Sequence, residues 1–400
     1  MSAVETPARI EPCHLTTLPG ELADVVGEVI AASTRLGDRL HSETAASLRE
    51  LVVVMNCYYS NLIEGHNTRP RDIERALTEE LADDEARREL QLEARAHIRV
   101  QRKLDRQHEA GELGEPATRE FIRGLHRDFY EWAPAAALRI DSTKGSFVMA
   151  AGSFRSLAVH DNTVGRHHPP SSERVDEFME YFEERYRFEG LGRVSAVVAT
   201  AAAHHRLNYI HPFPDGNGRV SRLMSHAMML KADIGAKGLW SISRGMARGL
   251  SDGAEYKRMM DAADSPRKGD LDGRGNLSEQ ALVEYVLWFS RIALDQLTFM
   301  TALFDFDTLS GRLSAYAMAE LGVAEDVGRV LSEVFRHGSV ARGQVAQLTG
   351  RSERSARDQL KLLTEGGLLA SETPKGPVSL RFSSESSESL FPRLFPAQLG

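Results

Sequence analysis

Apolar residues recur at intervals of three and four through the first quarter of the chain, which is the spacing of amphipathic helices. The clearest series is Leu40, Ala45, Leu48, Leu51, Val52 and Met55. We therefore predict helices from residue 21 to about residue 109. The highly charged stretch 79–107 predicts one long helix with a solvated outer face.

Residues 140–170 have a different pattern, because Gly145, Gly152 and Gly165 interrupt short apolar runs. This predicts a β-hairpin or an irregular flap. Further helices are predicted over residues 175–188 and 193–209. The second must stop at Pro212, since proline cannot continue a helix and restricts the residue before it. A new helix is predicted from about Gly218, and a long apolar helix over residues 282–303.

Beyond residue 323 the pattern predicts three shorter helices, over residues 327–336, 342–348 and 353–365. Gly366 and Gly367 end the third helix. Two short apolar runs around residues 373–376 then predict a hairpin. Three helices followed by a hairpin is the order of a winged helix-turn-helix.

Composition adds limits to this picture. The chain has 400 residues, 42% of them hydrophobic and 26% charged, with a net charge of -8, which is ordinary for a soluble globular protein. The acidic balance excludes general polyanion binding by the whole protein, although one basic face remains compatible with it. Cys13 and Cys57 form no disulfide framework or zinc pattern. Without a signal peptide or a bilayer-length apolar run, we predict a cytoplasmic protein with no membrane partner.

The segment that carries candidate chemistry runs from His211 to Arg222, with the sequence HPFPDGNGRVSR. Gly216 and Gly218 allow a close backbone approach to an anion, and the following helix adds its positive N-terminal end. Asp215 is a hard oxygen ligand of the kind that Mg²⁺ uses.

The remaining polar residues of this segment suit a phosphate substrate. Arg219 and Arg222 share a helix face and have planar forks for phosphate oxygens. Asn217 can donate an amide hydrogen bond to a phosphate. His211 can take a proton from an attacking hydroxyl.

This segment resembles the signature of the Fic family, HxFx(D/E)GNGRxxR, and matches it at every fixed position. The resemblance implies transfer of AMP from Mg-ATP to a Tyr, Ser or Thr hydroxyl of a protein. His211 would be the general base, Asp215 would hold Mg²⁺, and Phe213 would be a core anchor. Gly216, Asn217 and Gly218 would form the anion hole, and Arg219 and Arg222 would bind phosphates.

The resemblance also implies a fold that is mainly α, with a Fic-type helical core, a small β-hairpin flap and the C-terminal winged helix-turn-helix. We expect an N-terminal helical region over residues 1–110, the catalytic core over residues 111–305, and the winged helix over residues 320–400. Residues 152–159 resemble the family's flap, which would hold a target protein by β-augmentation. An ordinary hairpin is the alternative.

Residues 60–65, with the sequence SNLIEG, match the family's inhibitory pattern (S/T)xxxE(G/N). The resemblance implies that Glu64 pairs with Arg222 and occupies the γ-phosphate position, so that ATP binds in a misaligned pose. Ser60 would cap or hydrogen-bond near Glu64. In the family this glutamate can also support AMP removal, and the sequence leaves the balance open. A surface helix end is the alternative interpretation.

Four histidines near the motif, His167, His168, His204 and His205, lack a metal-binding pattern, so packing or solvent roles are favoured. Tyr256 lies where the family often places a residue near adenine.

A second function is a DNA-binding regulator that acts through residues 342–382. Arg354, Arg357 and Lys361 could meet phosphates there, although Glu353, Asp358 and Glu365 dilute the charge. A homodimer is also compatible with the sequence.

Overall fold

A computed structural model describes residues 5–142, 144–161 and 163–395 of the chain. The described residues are mainly helical with few strands, which confirms the predicted fold class. Their buried apolar side chains form one continuous core. No helix among them has the combination of length and apolar character that crossing a membrane requires.

The N-terminal part is four helices. They are α1 (Gly20–Asp38), α2 (Ser42–Ile63), α3 (Pro70–Leu77) and α4 (Glu85–Glu109). Helix α4 begins six residues later than the charge pattern predicts, because Glu79 has a positive φ of 64° and the side chain of Asp84 caps the first turn. Helix α2 is buried over most of its length, from Thr44 to Asn61, and becomes more accessible at its C-terminal end.

The central part positions the HPFPDGNGRVSR segment. Its elements are α5 (Arg119–Tyr130), β1 (Arg139–Ser142), β2 (Gly145–Val148), α6 (Val175–Tyr186), α7 (Arg193–Ile210), α8 (Asn217–Lys231), α9 (Ile242–Arg248), α10 (Glu255–Ala263) and α11 (Glu279–Leu303). Helices α7 and α8 pack against each other, and α4 and α5 pack against α8. The C-terminal end of α2 meets α8 through the side chain of Arg222. The segment between α7 and α8 therefore lies where several helices meet.

The hairpin lies at the beginning of the region 140–170 in which a hairpin or irregular flap was predicted, and it precedes the flap predicted at residues 152–159. Strands β1 and β2 are antiparallel, with Ile140 opposite Phe147. Residues 152–157 contain no strand, and Ala158–His160 is a short 3-10 helix. Phe154 and Arg155 are buried, and the backbone N–H of Arg155 bonds the carbonyl of Pro212, so this stretch packs against the loop instead of forming a strand.

The C-terminal part contains all three predicted helices and both predicted strands. Its elements are α12 (Phe306–Leu321), α13 (Gly328–His337), β3 (Ser339–Val340), α14 (Val345–Thr349), α15 (Glu353–Glu365), β4 (Leu369–Ala370), β5 (Val378–Leu380) and α16 (Ser384–Leu390). The sheet order is β3-β5-β4, with antiparallel pairs. Helices α12 and α16 and the two-residue strand β3 were not predicted from the sequence.

Candidate active site

The loop between α7 and α8 is a tight turn made by two residues in left-handed backbone conformation. His211 ends α7 with φ 51°, and Gly216 precedes α8 with φ 80°. The backbone N–H of Val220 bonds the carbonyl of Gly216. The first N–H groups of α8, at residues 217–219, have no partner one turn back and point toward the helix start. The turn therefore leaves the start of α8 with the geometry that can receive an anion, while the binding of phosphate there stays a prediction.

His211 lies partly buried at this turn. The amide nitrogen of Asn217 is 3.1 Å from its Nδ1. Burial lowers the pKa of His211 to about 3, and the nearby charge of Arg155 adds to the effect. The ring is therefore neutral at pH 7, and the same burial weakens it as a proton acceptor in the absence of substrate.

Asn217 spans the loop from inside. Its amide oxygen accepts the N–H of Phe213 at 2.8 Å, and its amide nitrogen donates to the carbonyl of Phe213 at 2.7 Å. The side chain is almost fully buried. In this structure Asn217 holds the loop and contacts the imidazole, while the donation to a phosphate expected of it stays a prediction.

Asp215 is the acidic residue of the loop, and 45% of its side chain is accessible. Its Oδ2 accepts hydrogen bonds from the Tyr130 hydroxyl and from Arg219, the latter at 2.8 Å. Burial would raise the pKa of Asp215, but the charge of Arg219 and the Tyr130 hydrogen bond lower it overall. Asp215 is therefore a charged carboxylate at neutral pH, held in place and open to solvent.

Arg219 is buried behind Asp215. Its other terminal nitrogen bonds Glu93 of α4 at 2.9 Å, and its guanidinium lies 5.1 Å from the ring centre of Phe129. Both ends of the fork are thus occupied by carboxylates. The structure gives Arg219 the position of a support for Asp215, and its contact with phosphates remains a prediction.

Arg222 faces the other side of the loop and meets the end of α2. Its Nε donates to the Ser60 hydroxyl at 2.9 Å, and a terminal nitrogen donates to Glu64 Oε1 at 2.6 Å. Burial would raise the pKa of Glu64, but the charge and hydrogen bond of Arg222 lower it overall. The structure thus brings Glu64 and Arg222 together, while Ser60 contacts Arg222 rather than Glu64.

The Glu64 carboxylate also lies directly against Gly218. A methyl group placed on Gly218 would overlap Glu64 Oε1 and come within 3.0 Å of Arg222. Since Gly218 belongs to the first turn of α8, the carboxylate occupies the place where the helix start would receive an anion.

Three residues of the site were not found from the sequence. His126 stacks on Phe213 at 4.0 Å, accepts the N–H of Gly152, and reaches the carbonyl of Asp215. Burial lowers the pKa of His126 to about 4, so its ring is neutral. Tyr130 and Glu93 complete the support of Asp215. These residues lie in α4 and α5, far from the motif in sequence.

Arg155, from the stretch expected to be the flap, holds the end of α7 instead. Its side chain donates to the carbonyls of His211, Ile210 and Pro170 at 2.7, 3.2 and 3.0 Å. Burial lowers the pKa of Arg155 to about 10. The backbone N–H of Arg155 also bonds the carbonyl of Pro212. This stretch therefore fixes the turn that presents His211.

The buried side of α4 carries a row of polar residues beside its apolar ones. Its members recur every four residues and are Glu93, His97, Gln101 and Asp105. Glu93 bonds Arg219, while Asp105 accepts from His226 of α8 at 2.7 Å. Burial lowers the pKa of His97 to about 3. A regular signal for these contacts was thus present in the sequence, as a four-residue polar repeat.

The histidines near the motif bond other protein groups. His204 contacts Ser225 and the Tyr256 hydroxyl, at 2.8 and 2.9 Å. His167 and His205 both bond Asp264. Tyr256 itself is buried against Trp288, with ring centres 6.1 Å apart. Through residues 5–142, 144–161 and 163–395, no group of three or more His, Cys, Asp or Glu side chains is arranged to hold a metal.

A Mg²⁺ ion that takes most of its ligands from water and phosphate does not need such a group, since one protein carboxylate is enough. Asp215 fits this requirement, because it is charged, accessible and fixed by Tyr130 and Arg219 beside the start of α8.

The fold and the loop together define a helical domain in which a histidine lies beside a glycine-containing helix start. Comparison with known proteins agrees. Residues 116–229, which include this loop, match the model of the Fic/DOC family.

Curated relatives share part of this region. The chain is 38% identical over 81 residues to a protein named protein adenylyltransferase Fic from Drosophila erecta, and 34% identical over 84 residues to one of the same name from Nematostella vectensis. These alignments cover 20% and 21% of this chain, and 16% and 19% of the relatives. The chain thus matches less than a fifth of each curated relative's length.

Solved structures extend the likeness in fold. A Fic family protein from Desulfovibrio desulfuricans G20 has a TM-score of 0.52 at 15% identity, covering 92% of this chain and 98% of that one. A Fic domain containing signaling protein from Bacteroides thetaiotaomicron VPI-5482 has a TM-score of 0.51 at 20% identity, covering 70% and 97%. At these identities the likeness concerns the fold.

Proposed function

We propose that the chain is a protein adenylyltransferase that moves AMP from Mg-ATP to a Tyr, Ser or Thr hydroxyl of a target protein. The Fic/DOC domain and the names of the curated relatives support this activity. Within the molecule, a neutral His211 lies next to an anion-binding helix start that carries Asp215, Asn217 and Arg222.

In the proposed reaction, the target hydroxyl oxygen attacks the α-phosphorus of ATP and its proton passes to His211. The bond between the α-phosphorus and the bridging oxygen breaks, and pyrophosphate leaves with that oxygen. His211 suits this step because its ring is uncharged and Asn217 and Arg155 fix its position. The rest of the catalysis is positioning and electrostatics.

Asp215 would hold Mg²⁺, which when bound neutralises charge on the phosphate oxygens. The backbone around Gly216, Asn217 and Gly218 would receive phosphate oxygens at the start of α8. Arg222 would bind phosphate once it is released from Glu64. Arg219 would hold Asp215 in place beside the phosphates. It would bind a phosphate oxygen directly only if its ion pair with Glu93 opened.

We also propose that Glu64 inhibits the transfer. The observation that carries this proposal is that the Glu64 carboxylate bonds Arg222 and touches Gly218. Two groups that a triphosphate needs are therefore occupied by a side chain of the protein. The same carboxylate, held beside the loop, could orient a water molecule for AMP removal.

Two variants test both proposals with intact-mass measurement after incubation with Mg-ATP. Glu64→Gly should gain one or more AMP masses and should bind ATP about tenfold or more tightly, since it frees Arg222 and Gly218. His211→Ala should gain none but still bind ATP. Equal, low incorporation in wild type and Glu64→Gly would contradict inhibition, and AMP gain by His211→Ala would contradict the general base.

The target protein is proposed to add a strand to the hairpin that precedes residues 152–159, since β2 is paired on one side only within the described sheet. We propose three structural units: the N-terminal helical region 1–110, the catalytic core 111–305 and the winged helix 320–400.

The two free, buried cysteines support a cytoplasmic location.

A second candidate function is DNA binding by the C-terminal unit. The observation that favours it is the exposed side of α15, which presents Arg354, Arg357 and Lys361, next to a sheet in the order of a winged helix. A mobility shift of duplex DNA that weakens with salt and is lost in Arg354→Ala/Arg357→Ala would support it. Unchanged migration at low salt would reject it.

A further inference from the structure

Residues 391–395, here called the strap, follow α16 and lie against the helix that carries Ser60 and Glu64. Phe391 and Leu394 of the strap are fully buried. The ring of Phe395 meets the edge of Tyr58 at 5.6 Å. The neighbouring Tyr59 donates its hydroxyl hydrogen to the carbonyl of Leu394 at 3.0 Å. The strap therefore contacts two successive residues near the C-terminal end of α2.

A buried arginine fixes the strap from its other side. Arg244 of α9 donates to the carbonyls of Arg393 and Leu394 at 2.7 and 3.4 Å, and to Gln296 at 2.9 Å. Its guanidinium lies 3.7 Å from the ring centre of Phe299 and is inaccessible to solvent. All three acceptors are uncharged, and the strap supplies two of them. Loss of the strap would leave a buried cation with one acceptor, which is strongly unfavourable.

The strap and the active site hold adjacent positions of α2. Tyr59 bonds the strap, and the next residue, Ser60, accepts hydrogen bonds from Arg222 through its hydroxyl and its carbonyl. At the other end of α2, the Thr44 hydroxyl donates to the carbonyl of Phe335 in α13. The C-terminal unit thus touches the helix at its beginning and, through the strap, close to its end.

We propose that the strap is an autoinhibitory contact, which keeps the last turn of α2 in the position from which Glu64 reaches Arg222. Release of the strap lets this turn move, so that Glu64 leaves Gly218 and the phosphate site opens. An event at the C-terminal unit is thereby transmitted to the active site. This inference rests on the proposed inhibitory role of Glu64.

The test uses Leu394→Asp in the full chain, because a charge at this buried position expels the strap. Tyr59→Phe removes one hydroxyl and serves as a milder second variant. Pro392→Ala, at an exposed position of the strap, and Tyr58→Phe are the matched controls. Each variant is also made in the Glu64→Gly background.

We expect Leu394→Asp to raise AMP incorporation and ATP affinity by about fivefold or more. Tyr59→Phe should act in the same direction with a smaller change, and the controls should match wild type. In the Glu64→Gly background neither variant should add a further increase, since the carboxylate through which the strap acts is absent. An equal increase in both backgrounds would overturn the proposal.

Amide hydrogen exchange separates failure of the strap from failure of the enzymatic proposal. Leu394→Asp should speed exchange over residues 57–64 while α7 and α8 stay protected, whether or not AMP is transferred. If exchange in this stretch is unchanged in Leu394→Asp and Tyr59→Phe, the strap does not hold α2. If exchange rises and no variant transfers AMP, the strap holds the last turn of α2 as proposed, but the adenylyltransferase proposal fails.

Discussion

Arg219 and Arg222 lie three residues apart at the start of α8, and both are buried, but the two regions around them are built differently. On the Arg219 side, Glu93 comes from the middle of α4 and is shared with His66, and Asp215 is shared with Tyr130. On the Arg222 side, Glu64 is the residue that caps the C-terminal end of α2, and a third of its side chain is accessible.

The difference shows which carboxylate can leave. Glu93 is held by two cationic or hydrogen-bonding partners within a rigid helix, so it belongs to the scaffold. Glu64 has one strong partner, stands at a helix end before Gly65, and lies against Gly218. Replacing it with a phosphate would exchange one anion on Arg222 for another at modest cost, which is what an inhibitory group requires.

The largest expected effect distinguishes the two arginines by stability. Arg219→Met should lower the free energy of unfolding by about 3 kcal/mol, because Glu93 and Asp215 lose their shared cation. Arg222→Met should lower it by only about 1 kcal/mol, since Glu64 can turn toward water. Urea denaturation followed by circular dichroism measures both. Equal losses would show that the Glu64 side is as rigid as the Glu93 side.

The loop and helices around residues 211–222 could be predicted from the sequence, but the residues of other helices that support the loop could not. Residues 193–209 were expected to form a helix that stops before Pro212, and α7 is Arg193–Ile210. Local rules suffice there, because proline and glycine act on their own neighbours. The contact of Glu64 with Arg222 was expected only through the resemblance to a family.

Glu93 and Arg155 show why the rest was missed. Glu93 belongs to a stretch predicted as a helix with a solvated outer face, and a charged residue seldom lies inside unless an opposite charge meets it. That partner, Arg219, is more than a hundred residues away in sequence. Arg155 was placed in a flap because its neighbours resembled one, yet its burial depends on the carbonyls at the end of α7. Such pairings arise from tertiary packing, which one sequence does not report.

A smaller effect tests the contact between Glu64 and Gly218, because the change in stability caused by Gly218→Ala should reverse its sign when Glu64 is removed. Gly218→Ala should destabilise the nucleotide-free protein by about 1 kcal/mol, because the added methyl group overlaps Glu64 Oε1. In the Glu64→Gly background the same change should stabilise it by roughly 0.5 kcal/mol, since alanine favours helix and no carboxylate is displaced. Thermal or urea denaturation of the four proteins measures this. The same sign in both backgrounds would mean that Glu64 does not rest on Gly218.

The smallest expected effect is a pH dependence confined to the Glu93 side. The hydrogen bond to Glu93 raises the pKa of His66 above its usual 6.5, although burial opposes it. A raised folded-state pKa contributes stability that is present below the unfolded value and is lost as pH rises through the folded value. His66→Asn should therefore cost more at about pH 6 than at about pH 9. The difference should stay below about 1 kcal/mol, because His66 is partly exposed.

Glu64, whose pKa is lowered, remains charged over this whole interval, so Glu64→Gln should cost the same at both pH values. Urea denaturation of wild type and the two variants at both pH values measures these losses of unfolding free energy. A cost of Glu64→Gln that changed with pH, or a cost of His66→Asn that did not, would remove the distinction between the scaffold side and the releasable side.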